Sequence, residues 1–98
     1  MIKAEGMYAE ITRRLSTVID PGTGADVMRM RLVEDLKVSE DGQVEFRFRP
    51  SSQLCPMAVS LVLKIREAIA EVEGVTSQEI EVVGYAQAEE LNQMLREL

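Results

Sequence analysis

Apolar residues recur along this chain at two spacings, and the points where the spacing changes mark the elements. Met7, Ile11, Leu15 and Val18 follow a helical period, with Glu10, Arg13 and Arg14 off the stripe, so residues 7–19 are predicted as an amphipathic helix. Asp20-Pro21 should end it, because the residue before a proline is pushed out of the helical region of backbone space. Gly22 and Gly24 make residues 20–24 a tight turn. Residues 26–31 are ambiguous and are compatible with a short helical turn. From Leu32 onward Leu32, Leu36 and Val38 are apolar while Asp35 and Lys37 are charged, which predicts a half-buried strand with Glu34 as the exception. Glu40-Asp41-Gly42 supplies a hairpin turn, with Gly42 free to take positive φ. On the return strand Val44, Phe46 and Phe48 alternate with Glu45, Arg47 and Arg49, and Pro50 stops the ladder.

The period then switches back. Ala58, Leu61, Val62, Ile65, Ile69 and Val72 form one stripe, opposite Ser60, Lys64, Glu67 and Glu71. Met57, Val59 and Leu63 widen the apolar arc in the first half of this helix. That predicts burial on more than one side, against the sheet and either the first helix or a second subunit, as in a homodimer. Glu73-Gly74 is the expected stop. Ile80, Val82 and Val83 mark a further strand broken by Gly84, and Ala88, Leu91, Leu95 and Leu98, with Met94 alongside, describe a final helix. The predicted class is α+β: a two-layer sandwich in the order helix-strand-strand-helix-strand-helix, with a small, mostly antiparallel sheet covered by helices on one face. The last strand could join either edge. No repeat or linker interrupts the pattern, so residues 1–98 are read as a single domain.

Composition narrows the function classes. Eleven basic residues against seventeen acidic ones give a net charge of −6, which argues against nucleic acid and anionic membranes as partners. Residues 1–6 lack the apolar run of a signal peptide, and the longest uncharged stretch, residues 50–63, is too short to span a bilayer. One cysteine cannot form an intramolecular disulfide, so a reducing, cytoplasmic setting is expected. The chain has no histidine, which removes the usual general base and the commonest metal ligand together. A non-enzymatic role follows as the expectation, with no catalytic residue assigned.

Candidate chemistry concentrates in Arg49-Pro50-Ser51-Ser52-Gln53-Leu54-Cys55-Pro56. Pro56 suits the first position of a helix, which would put Cys55 at or beside the N-cap, where unpaired N–H groups favour a thiolate. The competing reading is a small buried hydrophobe, as lone cysteines commonly are. Asp20 is expected either to close an Asx-turn or to support the Cys55 loop; Ser51 and Ser52 are expected to hydrogen-bond the loop backbone, since no base exists to activate them. Met57, beside Cys55, could belong to an adaptable contact surface.

Two features taken together, Asp20-Pro21 with its glycine turn after the first helix and Cys55-Pro56-Met57 after a hairpin and a serine-containing loop, carry a family resemblance. The chain resembles the metal–sulfur (iron–sulfur) cluster assembly factors, the PaaD-like and SufT-like small proteins, over roughly residues 11–83, with Gly74, Val75, Ile80 and Val82 also in their expected places. The resemblance implies a compact α/β fold and a part in the maturation of iron–sulfur proteins or delivery of clusters to clients. It makes Cys55 the family cysteine, Pro56 its following proline, Asp20-Pro21 the acidic-turn dipeptide, and Ser51 the equivalent of a usual threonine. Gly22 stands where an acidic residue often follows, and Met30-Arg31-Leu32-Val33 replaces a glycine-rich lead into the first strand. The cargo so implied is iron or a transient iron–sulfur cluster. A stable cluster needs about four thiolates, so none is held stably by one chain. The implied partners are the assembly scaffold and client proteins. The alternatives are a structural, adaptor or ligand-sensing α+β module acting through dimerisation, and a thiol enzyme using Cys55.

Overall fold

The computed structural model describes residues 4–98, so half of residues 1–6, expected above not to be a signal peptide, lies outside the described residues. Helix α1 spans Ala4–Leu15 and buries Met7, Ile11 and Leu15. It stops short of the predicted residue 19 because hydroxyls compete for its last carbonyls: Ser16 Oγ donates to Thr12 O at 2.9 Å and Thr17 Oγ1 to Arg14 O at 2.6 Å. The following connector folds back on itself, with Asp20 N–H on Ala25 O (2.9 Å) and Val27 N–H on Val18 O (3.0 Å). The ambiguous stretch is a helical turn, in which Met30 N–H reaches Asp26 O at 3.0 Å.

Strand β1 (Val33–Val38) pairs antiparallel with β2 (Gln43–Phe48). The register slips between Glu34 and Lys37, so Asp35 and Leu36 together oppose Phe46, and Asp35 takes φ 53°. This bulge accounts for the interrupted alternation in the sequence. Val33, Leu36 and Val38 all pack against the core, while Glu34 and Asp35 share the outer face, pairing with Arg49 (2.8 Å) and Arg47 (3.4 Å).

Helix α2 (Ala58–Ala70) carries the chain over to β3 (Ser77–Val82), which lies parallel to β2 on the edge away from β1. The sheet is therefore mixed, one antiparallel pair and one parallel pair, rather than mostly antiparallel. A crossover helix between consecutive strands is what permits parallel pairing. At the other end of the sheet the hairpin turn is pinned beneath the α2–β3 connection: Thr76 N–H bonds Gly42 O at 2.9 Å. Helix α3 (Ala88–Arg96) returns along β3, burying Leu91 and Leu95. Asn92 grips the edge of β3, its Oδ1 accepting Val82 N–H at 2.7 Å and its Nδ2 donating to Val82 O at 3.2 Å.

The core lies between the sheet and the helices, with Phe48, Ile11, Leu15, Leu61, Ile65 and Ile69 fully enclosed. Helix α1 packs beside α2 on its Lys64–Glu71 side, where Arg14 meets Glu71 at 3.0 Å. Val59 and Leu63, on a different side of α2, remain exposed, so α1 does not cover the widened arc. Helix α2 also ends at Ala70, before the expected Glu73-Gly74 stop, although Val72 beyond it is still buried.

Candidate functional site

Because β2 and β3 run the same way and β1 runs against them, three connections collect at one end of the sheet: residues 16–32, 49–57 and 83–87. Backbone bonds tie them together. Arg49 N–H donates to Leu32 O at 2.8 Å, Val83 N–H to Phe48 O at 2.9 Å, and Ala86 N–H to Gln53 O at 2.8 Å. The carboxyl ends of adjacent parallel strands are where α/β sheets commonly place their working loops.

Cys55 sits in the middle connection. Its N–H reaches Ser52 O at 3.3 Å and its carbonyl accepts Ala58 N–H at 3.3 Å, so two successive turns precede the helix. Helix α2 begins at Ala58 with Met57 as its N-cap, and Cys55 therefore stands ahead of the helix N-terminus, not on it. Pro56 opens the second turn instead of the first helical turn. Cys55 is 6 % exposed and belongs to the hydrophobic core cluster, which matches the competing reading of a small buried hydrophobe. The turns aim the side chain inward. The start of α2 has neither a side-chain cap nor an acidic residue in its first turn.

Asp20 closes an Asx-turn: Oδ1 accepts Gly22 N–H at 2.8 Å, while its carbonyl accepts Gly24 N–H at 2.8 Å. At 4 % exposure it is a buried carboxylate satisfied within its own turn, and among the described residues no hydrogen bond joins it to the Cys55 loop. Pro21 is exposed beside it. Ser51 and Ser52 are exposed, and among the described residues their hydroxyls make no hydrogen bond; Ser52 contributes only its carbonyl. Met57 is half-buried against the core.

Two features were not read from the sequence. Leu54 is 80 % exposed immediately before the buried cysteine, an apolar side chain in an otherwise polar loop. Arg49 spans the rim from Glu34, with Nε 2.8 Å from Oε1, to Gly84, where an added Cβ would fall 2.7 Å from the guanidinium. Gly84 at φ 65° allows that approach. Position was the available signal in both cases, since each lies within a residue or two of a strand end or of the cysteine. Among the described residues no group of three or more acidic, cysteine or histidine side chains is placed to hold a metal ion, and no helix is long and apolar enough to cross a membrane.

The profile of a family described as iron–sulfur cluster assembly protein matches residues 8–82. An uncharacterised protein of Methanocaldococcus jannaschii is 31% identical over 88 residues, covering 90% of this chain and 93% of its own. The Fe-S protein maturation auxiliary factor YitW of Bacillus subtilis is 30% identical, over 81% of this chain and 78% of its own. Among solved structures, a domain of unknown function from Bacillus anthracis superposes with a TM-score of 0.73 at 28% identity, over 82% of this chain and 76% of that one.

Proposed function

Since the chain belongs to the iron–sulfur cluster assembly protein family, we propose that it is a non-enzymatic maturation factor that passes iron–sulfur cargo to client proteins through Cys55. It acts as one domain over residues 1–98 in a reducing, cytoplasmic setting, where a lone thiol stays free. The observation that carries the reading is the placement of Cys55. Cys55 lies in a loop at the carboxyl end of β2, beside that of β3, inside the core but held by few bonds.

A thiol 6 % exposed cannot ligate a cluster as it stands. The working state is one in which residues 50–57 swing outward while the sheet and helices stay folded. Such local opening costs less than global unfolding wherever a segment has few internal hydrogen bonds and much exposed backbone. Ser51, Ser52, Gln53 and Leu54 are all exposed, and the 3.3 Å bonds of Cys55 are long. Once outside, the sulfur lies near the uncapped start of α2, whose free N–H groups favour the anionic cargo it binds. One thiolate of about four leaves the remaining positions to client or scaffold, which suits transfer over storage. Leu54 and Met57 flank the sulfur as the apolar contacts a client would cover. Asp20-Pro21 fixes the neighbouring connector, and its role is support by way of the turn.

Anaerobic mixing of the protein with ferrous and ferric iron, sulfide and an apo-client tests the proposal. Transfer should be read as visible charge-transfer absorption appearing on the client. Wild-type protein is expected to speed that transfer and Cys55→Ala to abolish the effect while remaining folded by circular dichroism. Equal rates with the two proteins would remove Cys55 from the mechanism.

A further inference from the structure

Strand β3 is an edge strand, and only part of that edge is covered. Val82 directs both its N–H and its C=O away from β2, since Asn92 satisfies both. With a period of two, Ile80 and Gln78 direct theirs the same way. Among the described residues the N–H groups of those two have no partner. Asn92 thus occupies one position of a missing fourth strand and leaves two vacant. Arg96, one turn further along α3, shares the face of Asn92 that looks onto the edge. Arg66 lies on the other side of the same groove, which Gln78, Ile80, Asn92 and Leu95 also line, with Asp35, Glu45, Glu79 and Glu81 along its outer-face side. Among the described residues neither arginine makes an ion pair. Gln78 Nε2 donates to Arg66 O at 2.8 Å, but its buried Oε1 accepts nothing.

The geometry points to a docking site for an extended, acidic segment of a partner protein, added as a short strand beside Gln78–Ile80. Its main chain takes the open edge, and its carboxylates on the helix side meet Arg66 and Arg96. Side chains on its other side lie next to Glu79 on the outer face and must be neutral or basic. In a chain of net charge −6, two unpaired arginines along an open strand edge select for that charge pattern. A second copy of this chain fits poorly, because a two-fold axis through the edge would bring both arginine pairs together. This site is distinct from the Cys55 loop and stands or falls without it.

The test uses an acetylated, amidated Thr-Glu-Thr-Glu-Thr peptide and its Thr-Lys-Thr-Lys-Thr counterpart, titrated into isotope-labelled full chain and followed by NMR. The acidic peptide should shift the Gln78 and Ile80 amides, slow their exchange with solvent, and lose affinity with added salt. The double variant R66E/R96E should bind about tenfold more weakly, and Cys55→Ala should bind as wild type does. Equal binding of the lysine peptide, or acidic-peptide shifts that leave residues 78 and 80 unmoved, would overturn the proposal. So would a dimer by light scattering in which, without peptide, these two amides are already protected from exchange.

Discussion

The sulfur of Cys55 packs in the core, and its replacements should sort by polarity. Cys55→Ala loses only packing and should cost about 1 kcal/mol. Cys55→Ser buries a hydroxyl among aliphatic neighbours and should cost more, about 1–3 kcal/mol, because few partners are within reach. Urea midpoints of the two variants check the order. Arg31 holds φ 60°, a left-handed conformation that costs a side-chain-bearing residue about 1–2 kcal/mol. Arg31→Gly should therefore stabilise the fold by roughly 0.5 kcal/mol net, after glycine's extra freedom in the unfolded chain is subtracted. A drop in the melting temperature of that variant would contradict the assignment. Residue identity made Cys55-Pro56-Met57 and Asp20-Pro21 legible as special positions. Which way the sulfur points was not legible, because a proline after cysteine fits the first turn of a helix as well as the second of two preceding turns.

Among the elements, the apolar faces of α1, β2 and α2 were readable from period alone, since each buries one side against the same core. The break at Glu34 was visible as a parity slip, but its resolution into a bulge needed the pairing partner. Likewise the place of β3 in the sheet depends on long-range pairing that a period of two does not encode. The hairpin and α2–β3 connection meet so closely that a Cβ on Gly42 would fall 2.0 Å from Gly74 O, at φ 90°. Gly42→Ala should cost about 2 kcal/mol or more by thermal or urea unfolding, both for the clash and for the strain.

Helix α1 also carries an acid-sensitive contact. Arg13 first, and Arg14 second, hold the Glu10 carboxyl down from 4.5 to about 2. A depressed folded-state pKa contributes stability above the unfolded value and loses it as pH falls through the folded one. Wild type should therefore lose this contribution between about pH 4.5 and about pH 2, and Glu10→Gln should show a shallower acid limb in urea midpoints over that range. Parallel acid limbs would show that the contact adds nothing measurable.

At the scale of the whole molecule, one end of the sheet gathers the Asp20 connector, the Cys55 loop and the Val83–Gln87 loop, while the far end is locked by Gly42 and Thr76. On the proposed reading, residues 50–57, joined to the neighbouring connections by the Ala86–Gln53 bond, open to release the thiol while the sheet and helices stay folded. The rate of Cys55 alkylation under native conditions, measured across low urea concentrations, tests that claim most directly. Labelling should be slower than for a free thiol, far faster than global unfolding allows, and nearly independent of urea until the main transition. Labelling that tracks global unfolding, with the same urea dependence, would mean that the sulfur is sealed until the fold is lost.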